Sequence, residues 1–369
     1  MPTSNSIAIL GAGLLGRLLA YRLTQQGQSV VLYERDGPQA EHTAAYVAAA
    51  MLAPFAESAV SDRLVTQLGI ASLMRWPAWL AELAQHTTTP VFFQQEGTVV
   101  VWHRQDKEEA LRFCQRLDRA YFTEQGHDVR SLDLAQLTLL EPALVTRFMQ
   151  GIYLPGEGQL DNRALLAALL EYLEKNHVPI HWHCAVDACD VVADMVIDCR
   201  GLGAKRDWNQ KHRPTSLRGV RGEVIRIYAP DVYIQRPVRL LHPRYPLYIA
   251  PKPNHVYVIG ATEIESEDVS EVSMRSALEL LSATYSLHPG FGEARVLEMR
   301  AQCRPALADH LPKMTWDGTR CLSINGLYRH GYLIAPEMVE IAIDYLAHIQ
   351  AGTLNSTWIA QHFWRQLIE

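Results

Sequence analysis

The beginning of the chain alternates between two short apolar runs and one longer amphipathic run. Residues 7–10 are all apolar, which predicts a short buried strand. From Leu14 to about Gln26, apolar side chains recur at helical spacing, and Gly27 follows as a residue that commonly ends a helix. A second apolar run, 30–33, predicts another strand. This order of strand, helix and strand is typical of a β-α-β unit with parallel strands.

Three glycines at the end of the first predicted strand add a candidate ligand site. Gly11, Gly13 and Gly16 form a G-x-G-x-x-G pattern, and the acidic residue Glu34 follows the second strand. Gly11 permits a tight turn, Gly13 lets a pyrophosphate approach the backbone, and Gly16 lets the helix pack closely on the strand. The helix N-terminus favours phosphates, and Glu34 can bind both hydroxyls of a ribose. The pattern predicts a dinucleotide site but does not separate NAD from FAD.

Small side chains crowd residues 43–54, and Pro54 ends the run. One interpretation is a buried alanine-rich helix. The other is that a large flat ligand lies against the backbone, where small side chains make room for it. A flavin ring fits this second interpretation better than a nicotinamide does.

The rest of the chain continues to alternate between helical and strand patterns. Apolar positions at helical spacing predict helices at residues 61–90, 107–124, 163–176, 270–287 and 337–349. Apolar runs predict strands at residues 91–93, 97–102, 152–155, 180–186, 222–228, 247–251 and 256–260, and one more within 191–203 that ends in a glycine-containing turn. We expect Trp76 and Trp79 to lie in the core. This mixture indicates an α/β fold.

Composition excludes several classes of function. The chain has 369 residues, of which 48% are hydrophobic, and a net charge of −6, which gives no reason to expect nucleic acid or an anionic membrane as a partner. No apolar run is long enough to span a bilayer, and we expect no signal peptide because the first residues lead directly into a strand. The six cysteines include no C-x-x-C pair and no zinc-finger spacing. Such scattered thiols are typical of buried, reduced cysteines and predict a cytoplasmic protein.

His181 and His183 are two residues apart and would share one face of a strand. A metal pair there is conceivable, but the sequence offers no evident third ligand. We therefore expect surface histidines and no metal site.

Four separated motifs resemble one known family. Residues 43–57 read T-x-x-x-x-A-A-A-M-L-A-P-x-A-E, residues 195–203 form a strand and a glycine turn, residues 304–305 are an R-P pair, and residues 326–336 match G-x-x-R-x-G-x-x-L-A-P closely. In this order they resemble the FAD-dependent D-amino acid oxidase family, most of all its glycine oxidases, which are associated with thiamine biosynthesis. The chain departs from the family pattern at Ala50, where the family has glycine. It departs again in the loop Ala306–Met314, which has no glycine.

The resemblance implies roles for individual residues. Arg304 would bind the substrate carboxylate through its planar fork, Tyr248 would reach the same carboxylate, and Arg329 would lie near the flavin ring. Non-covalent FAD is the implied cofactor, and Val186 would contact its adenine through the backbone. Together the fingerprint and the resemblance predict these cofactor contacts: Gly11, Gly13, Leu14, Leu15, Gly16, Glu34, Arg35, Thr43, Ala44, Ala49, Ala50, Met51, Val186, Cys199, Gly201, Arg329, His330, Gly331, Tyr332 and Leu333.

The resemblance also implies two interleaved domains. Residues 1–80, 140–220 and 295–369 would form a Rossmann-like FAD-binding domain, and residues 81–139 and 221–294 a mixed-sheet α+β substrate domain. The implied reaction is FAD-dependent oxidation of a small, glycine-like amino acid to an oxo acid, ammonia and hydrogen peroxide.

Three alternatives stay open at this point. The first is a dehydrogenase that passes electrons to an acceptor other than oxygen. The second is an enzyme that oxidises a secondary amine such as sarcosine, or another D-amino acid. The third is an FAD-binding partner protein without turnover. A homo-oligomer is compatible with all of them, and the sequence fixes neither the substrate nor the oligomeric state.

Overall fold

The structure, a computed structural model, describes residues 6–211, 215–243 and 246–368. The strands in this part of the chain are β1 (Ser6–Leu10), β2 (Ser29–Tyr33), β3 (Met51–Leu52), β4 (Phe93–Gln94), β5 (Thr98–Trp102), β6 (Arg130–Leu132), β7 (Gly151–Leu154), β8 (Gly158–Leu160), β9 (Ile180–His181), β10 (Met195–Asp198), β11 (Arg218–Tyr228), β12 (Val238–Leu241), β13 (Leu247–Lys252), β14 (Val256–Gly260), β15 (Arg295–Ala306), β16 (Lys313–Trp316) and β17 (Cys321–Asn325).

The helices connect and cover these strands. The α-helices of the described residues are α1 (Leu14–Gln25), α2 (Ala44–Val47), α3 (Pro54–Glu57), α4 (Arg63–His86), α5 (Lys107–Arg116), α6 (Arg119–Glu124), α7 (Leu134–Leu140), α8 (Asn162–Lys175), α9 (Lys205–Lys211), α10 (Met274–Leu287), α11 (Gly331–Gln350) and α12 (Ser356–Ala360). Short 3-10 helices occupy Arg104–Asp106, Pro142–Thr146, Gly201–Ala204, Pro289–Glu293, Tyr328–His330 and Phe363–Leu367.

One six-stranded sheet carries the predicted β-α-β unit. Its strand order is β16-β17-β10-β1-β2-β9, and β1 pairs in parallel with both β2 and β10. Helix α1 connects β1 to β2, and Gly27 follows it with φ +75°. The β-α-β unit predicted from the first residues is therefore confirmed. The carboxyl ends of β1, β2 and β10 meet at one edge, where open α/β sheets bind their ligands.

A second sheet has eight strands. Its order is β15-β11-β14-β13-β12-β5-β7-β6, and its pairs are antiparallel except the parallel pair of β12 and β5. β11 is buried along almost its whole length, and it pairs with β14 along one edge and with β15 along the other. A small third sheet, β3-β8-β4, contains residues 51–52 of the small-residue run as β3.

The main core lies between the six-stranded sheet and helices α1, α4, α8 and α11. Trp76 and Trp79 of α4 are buried in it, as predicted. Helix α8 begins as expected at Asp161, whose carboxylate accepts hydrogen bonds from the N–H groups of Arg163 and Ala164, both at 3.0 Å.

Apart from helix α11, three secondary-structure predictions are wrong in part. Residues 107–124 form two helices rather than one, because Leu117 is extended and Asp118 caps a new helix by accepting from Tyr121 N–H at 3.2 Å. The predicted strand at 180–186 is reduced to β9, since the chain turns at His183, where φ is +55°. The strand predicted at 91–93 forms only at Phe93–Gln94.

The sheet membership of two strands bears on the predicted domain division. β15, which begins at Arg295, pairs with β11 in the eight-stranded sheet, and β7 pairs with β5 and β6 in the same sheet. Both segments were assigned to the FAD-binding part. We propose the same interleaved division with these two strands moved to the substrate side.

The remaining expectations concern cysteines, metals and membranes. All six cysteines, which lie in the described ranges, are free thiols, and Cys189 is exposed, contrary to the expectation of burial. Within the same ranges no cluster of three or more potential metal ligands occurs, and His181 stacks on Tyr33 with ring centroids 4.8 Å apart. No helix in these ranges combines the length and apolarity that crossing a membrane requires.

Candidate active site

A cavity of about 730 Å³ lies between the two large sheets. Its walls come from the start of α1, the small-residue segment, the turn after β10 and the start of α11 on one side, and from β11, β12, β13 and β15 on the other. These predicted site residues line it: Leu14, Leu15, Ala44, Ala49, Ala50, Met51, Cys199, Gly201, Tyr248, Arg304, Arg329, His330, Gly331, Tyr332 and Leu333. The predicted residues outside its lining are Gly11, Gly13, Gly16, Glu34, Arg35, Thr43 and Val186.

The glycine fingerprint has the packing expected of a dinucleotide loop. Gly11 has φ +93°, and a β-carbon there would lie 2.9 Å from the carbonyl oxygen of Cys199. A β-carbon at Gly16 would overlap the carbonyl oxygen of Gly11. At Gly13, by contrast, a β-carbon would meet only a methyl of Thr43, 4.0 Å away. The backbone is therefore open at the one position where a pyrophosphate has to approach.

The start of α1 leaves its first turn available for an anion. No side chain caps the helix at Gly13, and its first turn contains no acidic residue. Backbone N–H groups at such a terminus have no intrahelical partners and attract phosphates. Leu14 and Leu15 follow directly and line the cavity.

Glu34 and its neighbours lie at the carboxyl edge of β2. Glu34 is buried, and its carboxylate accepts hydrogen bonds from Ala12 N–H at 2.6 Å and Asp36 N–H at 3.0 Å. Arg35 is mostly exposed and pairs with Asp36 at 3.3 Å. The carbonyl oxygen of Val186 accepts a hydrogen bond from Arg200 at 3.1 Å. The roles of Glu34, Arg35 and Val186 toward a nucleotide stay predictions.

Arg17 is a buried cation that the sequence reasoning missed. Its guanidinium donates to the carbonyl oxygens of Ala12 at 2.7 Å, Leu166 at 2.7 Å and Pro38 at 2.6 Å. Burial lowers the pKa of Arg17 to about 10. These bonds fix the glycine loop against α8 and against the turn after β2. The sequence does carry one indication of this role: an arginine stands directly after the third glycine, in a helix start that is otherwise apolar.

The small-residue segment is mostly extended. Only Ala44–Val47 is helical, with Thr43 as its N-cap, and Ala50 has φ +52° at the position where the family has glycine. Lys252 fixes this segment: its ammonium donates to the carbonyl oxygens of Ala49 at 2.9 Å and Leu160 at 2.7 Å, and to the side-chain oxygen of Gln159 at 3.1 Å. Burial lowers the pKa of Lys252 to about 7.

Arg304 lies on β15 and lines the cavity. One of its terminal nitrogens donates to the carbonyl oxygens of Thr262 at 3.1 Å and Arg221 at 3.5 Å. Its guanidinium occupies the space over Gly222, where a β-carbon would overlap it. No carboxylate of the described residues forms an ion pair with Arg304. The guanidinium is therefore held in place by carbonyls, and within the described ranges no carboxylate pairs with its charge.

Tyr248 is placed by a second glycine. It lies on β13 opposite Gly260 of β14, where a β-carbon would overlap the phenol oxygen. Burial raises the pKa of Tyr248, against the lowering effect of Arg304 and Arg239. The phenol thus stays protonated, and it has no hydrogen-bond partner among the residues that the structure describes. Tyr248 and Arg304 both line the cavity, and their roles toward a substrate carboxylate stay predictions.

Arg329 belongs to a charge network centred on Glu57. Glu57 contacts Nε of Arg329 at 3.1 Å and a terminal nitrogen of Arg239 at 2.8 Å, and Arg329 also pairs with Glu263 at 3.0 Å. Burial alone would raise the pKa of Glu57, but the positive charges of Arg239 and Arg329 outweigh it and lower that pKa to about 2. Burial lowers the pKa of the adjacent His330 to about 4, so its imidazole is neutral near pH 7.

Helix α11 begins six residues earlier than predicted. It starts at Gly331 rather than Glu337 and continues through Pro336 without a break. No side chain caps its N-terminus, and Gly331, Tyr332 and Leu333 line the cavity. Its partial positive charge is therefore at the cavity wall.

A family model described as FAD dependent oxidoreductase matches residues 6–344 of the chain. The chain belongs to the FAD-dependent oxidoreductase family. A relative from Rhizobium etli, named as a thiamine biosynthesis oxidoreductase (ThiO), is 39% identical over 337 residues, which cover 91% of this chain and 95% of the relative. A glycine oxidase from Geobacillus kaustophilus is 25% identical over 89% of each chain. The crystal structure of glycine oxidase from Bacillus cereus has the same fold, with a TM-score of 0.78 over 95% of this chain and 96% of that chain at 22% identity.

The residues present fit the FAD of this oxidoreductase family. The backbone is open at Gly13, the first turn of α1 has no cap, and the small side chains from Ala44 to Met51 border a cavity with room for a flat ring system. Burial raises the pKa of Cys199 far above its ordinary value, so this cavity residue is a protonated thiol. Which residue contacts which part of FAD stays a prediction.

Several members of this oxidoreductase site escaped the sequence reasoning. Arg239 lies on β12, a strand that was not predicted. Its only local indication in the sequence is a charged residue within the apolar run Val238–Leu241. Glu57 was visible as the last residue of the small-residue motif, but its partners were not. Lys252 followed a predicted strand directly, without any cue that its ammonium would be buried.

Proposed function

We propose that this oxidoreductase catalyses the oxidative deamination of glycine or a closely related small amino acid. Amino acid, water and oxygen would yield an oxo acid, ammonia and hydrogen peroxide. The names of the relatives support this proposal, since one is a thiamine biosynthesis oxidoreductase and another a glycine oxidase. The observation that carries it is the cavity-lining guanidinium of Arg304, which has two carbonyl contacts and no described carboxylate partner.

FAD, when bound, supplies the ring that accepts a hydride from the substrate Cα and passes the electrons to oxygen. The chain supplies the side chains that bind and orient the substrate. An α-carboxylate that enters an enclosed site requires a cationic partner, because an unpaired buried charge is very costly. Arg304 offers such a partner in a planar, bidentate form, and the phenol of Tyr248 can donate a further hydrogen bond.

The electrostatics of the cavity favour one added negative charge. Glu57 and Glu263 pair with the cavity arginines Arg239 and Arg329. The lining also contains Arg275 and Glu279, whose formal charges cancel. His330 is neutral, so it adds no charge near pH 7. A substrate carboxylate would therefore pair with Arg304, while a substrate amine that binds in its neutral form requires no protein base.

Several finer points belong to the same proposal. Oxygen is our proposed electron acceptor, and the cytoplasm is our proposed location, which the free thiols support. A homo-oligomer stays a prediction, and light scattering on the purified protein would test it.

Anaerobic flavin reduction tests the proposed function. The FAD-loaded protein is mixed without oxygen with glycine, sarcosine, D-alanine and a carboxylate-free amine, and bleaching of the flavin absorbance is followed. We expect glycine to bleach the flavin, and admission of air to release ammonia and hydrogen peroxide in equal amounts. Bleaching without rapid reoxidation in air would favour the dehydrogenase alternative. No bleaching with any amino acid would contradict the proposal.

A further inference from the structure

β15 forms one free edge of the eight-stranded sheet. It is the last strand in the order and pairs with β11 on one side, and no strand of the described residues lies on its other side. β6, the strand at the opposite edge of the sheet, has three residues, whereas β15 has 12. Native proteins commonly keep edge strands short, because an open edge presents unpaired backbone groups to other chains. β15 is not protected in this way.

The N–H and C=O groups of Met299 and Ala301 point toward this open edge. Arg221 of β11 lies opposite Cys303, but it exchanges both backbone hydrogen bonds with Ile264 on the far side of β11. The backbone groups of Cys303 therefore point away from β11. Because hydrogen-bonded and non-hydrogen-bonded pairs alternate along antiparallel strands, residues 301 and 299 have the same orientation as residue 303. No hydrogen bond from another described segment reaches the backbone of residues 299 and 301.

The first half of β15 also exposes apolar side chains. Val296 is 47% exposed, Leu297 55% and Met299 38%. A shift in the register with β11 leaves Leu297 as an extra residue, a β-bulge, so the regular part of the free edge begins at Glu298. Apolar side chains beside unpaired backbone groups form a surface suited to pairing with another strand.

The charges around Met299 are complementary to themselves under a two-fold rotation. Glu298 and Arg300 are two residues apart and share one face of the strand. In an antiparallel pair of two β15 strands with Met299 opposite its own copy, Glu298 of each chain would face Arg300 of the other. Opposite charges across a strand pair are stabilising. Within one chain Glu298 already pairs with Arg300 and, at 2.7 Å, with Arg163, so the contact would extend an existing network.

The same charges disfavour the neighbouring registers. Residues whose backbone groups point outward must lie opposite one another to form hydrogen bonds, so the register changes in steps of two residues. One step in either direction would place Glu298 or Arg300 opposite its own copy. Like charges directly opposite each other are destabilising. The strand therefore favours one register, with Met299 at its centre.

We propose that two copies of this chain associate through β15, in antiparallel orientation about a two-fold axis at Met299. Each copy contributes the same surface, as in the commonest symmetric dimers. The two eight-stranded sheets would become one continuous sheet across the contact. The inference goes beyond the proposed function and is independent of it, because neither a substrate nor FAD takes part in this contact.

Light scattering on the FAD-loaded protein, separated by size over a range of protein concentrations, is the first test. We expect the wild type to have twice the mass of one chain, or a higher even multiple. Met299→Lys places two ammonium groups at the centre of the contact and should halve the wild-type mass. The matched control is Met74→Lys, because Met74 is 74% exposed on α4, outside the eight-stranded sheet. It should keep the wild-type mass, and both variants should keep their FAD if they are folded.

A cysteine at position 299 tests the register. Met299→Cys is made in protein that also carries Cys189→Ser, because Cys189 is an exposed thiol. Residues that form a hydrogen-bonded antiparallel pair have Cα atoms about 5.5 Å apart, a distance that a disulfide spans. Mild oxidation with oxidised glutathione should therefore give a covalent dimer. Val296→Cys in the same background should not, since position 296 would lie about 20 Å along the strand from its own copy.

Three results would overturn the inference. They are a wild type with the mass of one chain at every concentration, a Met299→Lys variant that keeps the wild-type mass, and equal crosslinking of Val296→Cys and Met299→Cys. The proposed function is tested separately by reduction of the flavin with glycine, and neither outcome of that experiment changes what these masses and crosslinks mean.

Discussion

The carboxylate of Glu57 lies 3.1 Å from Nε of Arg329 and 2.8 Å from a terminal nitrogen of Arg239. One buried acid thus positions two arginines that line the cavity. Both partners come from distant parts of the chain: Arg239 is 182 residues away from Glu57 in sequence. The acid therefore connects the small-residue segment to the eight-stranded sheet and to the start of α11.

Glu57 should make the stability of the fold depend on pH in the acid range. Its pKa is lowered in the folded protein from 4.5 to about 2, so its stabilising contribution is complete above 4.5 and is lost as the pH falls toward 2. A shift of this size corresponds to about 3 kcal/mol. Denaturant unfolding of FAD-saturated protein across this range should show a smaller acid loss in Glu57→Gln than in wild type. The exposed control Glu41→Gln should keep the wild-type slope, and an equally steep slope in Glu57→Gln would contradict the account.

Glu34 should contribute to FAD affinity. Glu34→Gln removes the carboxylate predicted to hold the ribose hydroxyls, and a hydrogen bond to a charged group is worth about 1.5–3 kcal/mol. We expect FAD to bind about ten- to a hundredfold more weakly, as measured by fluorescence titration of apoprotein. Glu41→Gln serves again as the exposed control. Unchanged FAD affinity in Glu34→Gln would show that this carboxylate serves only its hydrogen bonds with Ala12 and Asp36 and does not hold FAD.

Lys252 should stabilise the segment that borders the cavity. In Lys252→Met the oxygens of Ala49, Leu160 and Gln159 lose the donor that they share. Leaving buried acceptors without partners should lower the free energy of unfolding by at least about 2 kcal/mol. FAD binding should weaken as well, because Ala49 lines the cavity. The exposed control is Lys107→Met, and equal unfolding curves for the two variants would refute this role.

Ala50 should tolerate glycine better than its neighbour Ala49 does. At φ +52° a β-carbon costs about 1–2 kcal/mol. Relief of this strain roughly offsets the loss of about 0.8 kcal/mol for one buried methyl and the added backbone entropy of about 0.5–1 kcal/mol. Ala50→Gly should therefore be nearly neutral. At Ala49 the same change loses the methyl and adds backbone entropy, for a total of about 1.5 kcal/mol. Urea unfolding of both variants compares them, and equal destabilisation would show that Ala50 is not strained.

The sequence predicted those parts of the fold that are determined locally. The β-α-β unit lies within one continuous segment of the chain, and the helix end at Gly27 and the N-cap at Asp161 each depend on residues within a few positions of one another. The glycine fingerprint was recognisable for the same reason, since Gly11, Gly13 and Gly16 perform their functions within one turn.

Long-range relationships were not predictable from local patterns. The pairing of Glu57 with Arg239 and the parallel pairing of β12 with β5 leave no periodic signature in the sequence. The helix predicted at 107–124 is divided because Leu117 and Phe122 are both buried in a small separate core, which overrides the continuous helical spacing. The early start of α11 was missed because Gly331 and Pro336 are typical of helix boundaries.

The central claim is that Arg304 anchors the carboxylate of an amino acid whose oxidation reduces FAD. Arg304→Ala should lower the rate of flavin reduction by amino acids by an amount equivalent to about 3–5 kcal/mol, as for a broken buried charge pair. Arg304→Lys should also be impaired, because lysine keeps the charge but loses the planar fork. FAD content should remain at the wild-type level in both variants. The control Arg300→Ala alters the same strand at a residue that pairs with Glu298 and should reduce normally.

The most direct measurement is therefore stopped-flow flavin reduction under anaerobic conditions, with glycine, sarcosine and a carboxylate-free amine as reductants. We predict that glycine reduces the wild type and Arg300→Ala at similar rates and Arg304→Ala far more slowly, while any slow reduction by the carboxylate-free amine is nearly the same in all three proteins. Equal rates of reduction by glycine in wild type and Arg304→Ala would contradict the account.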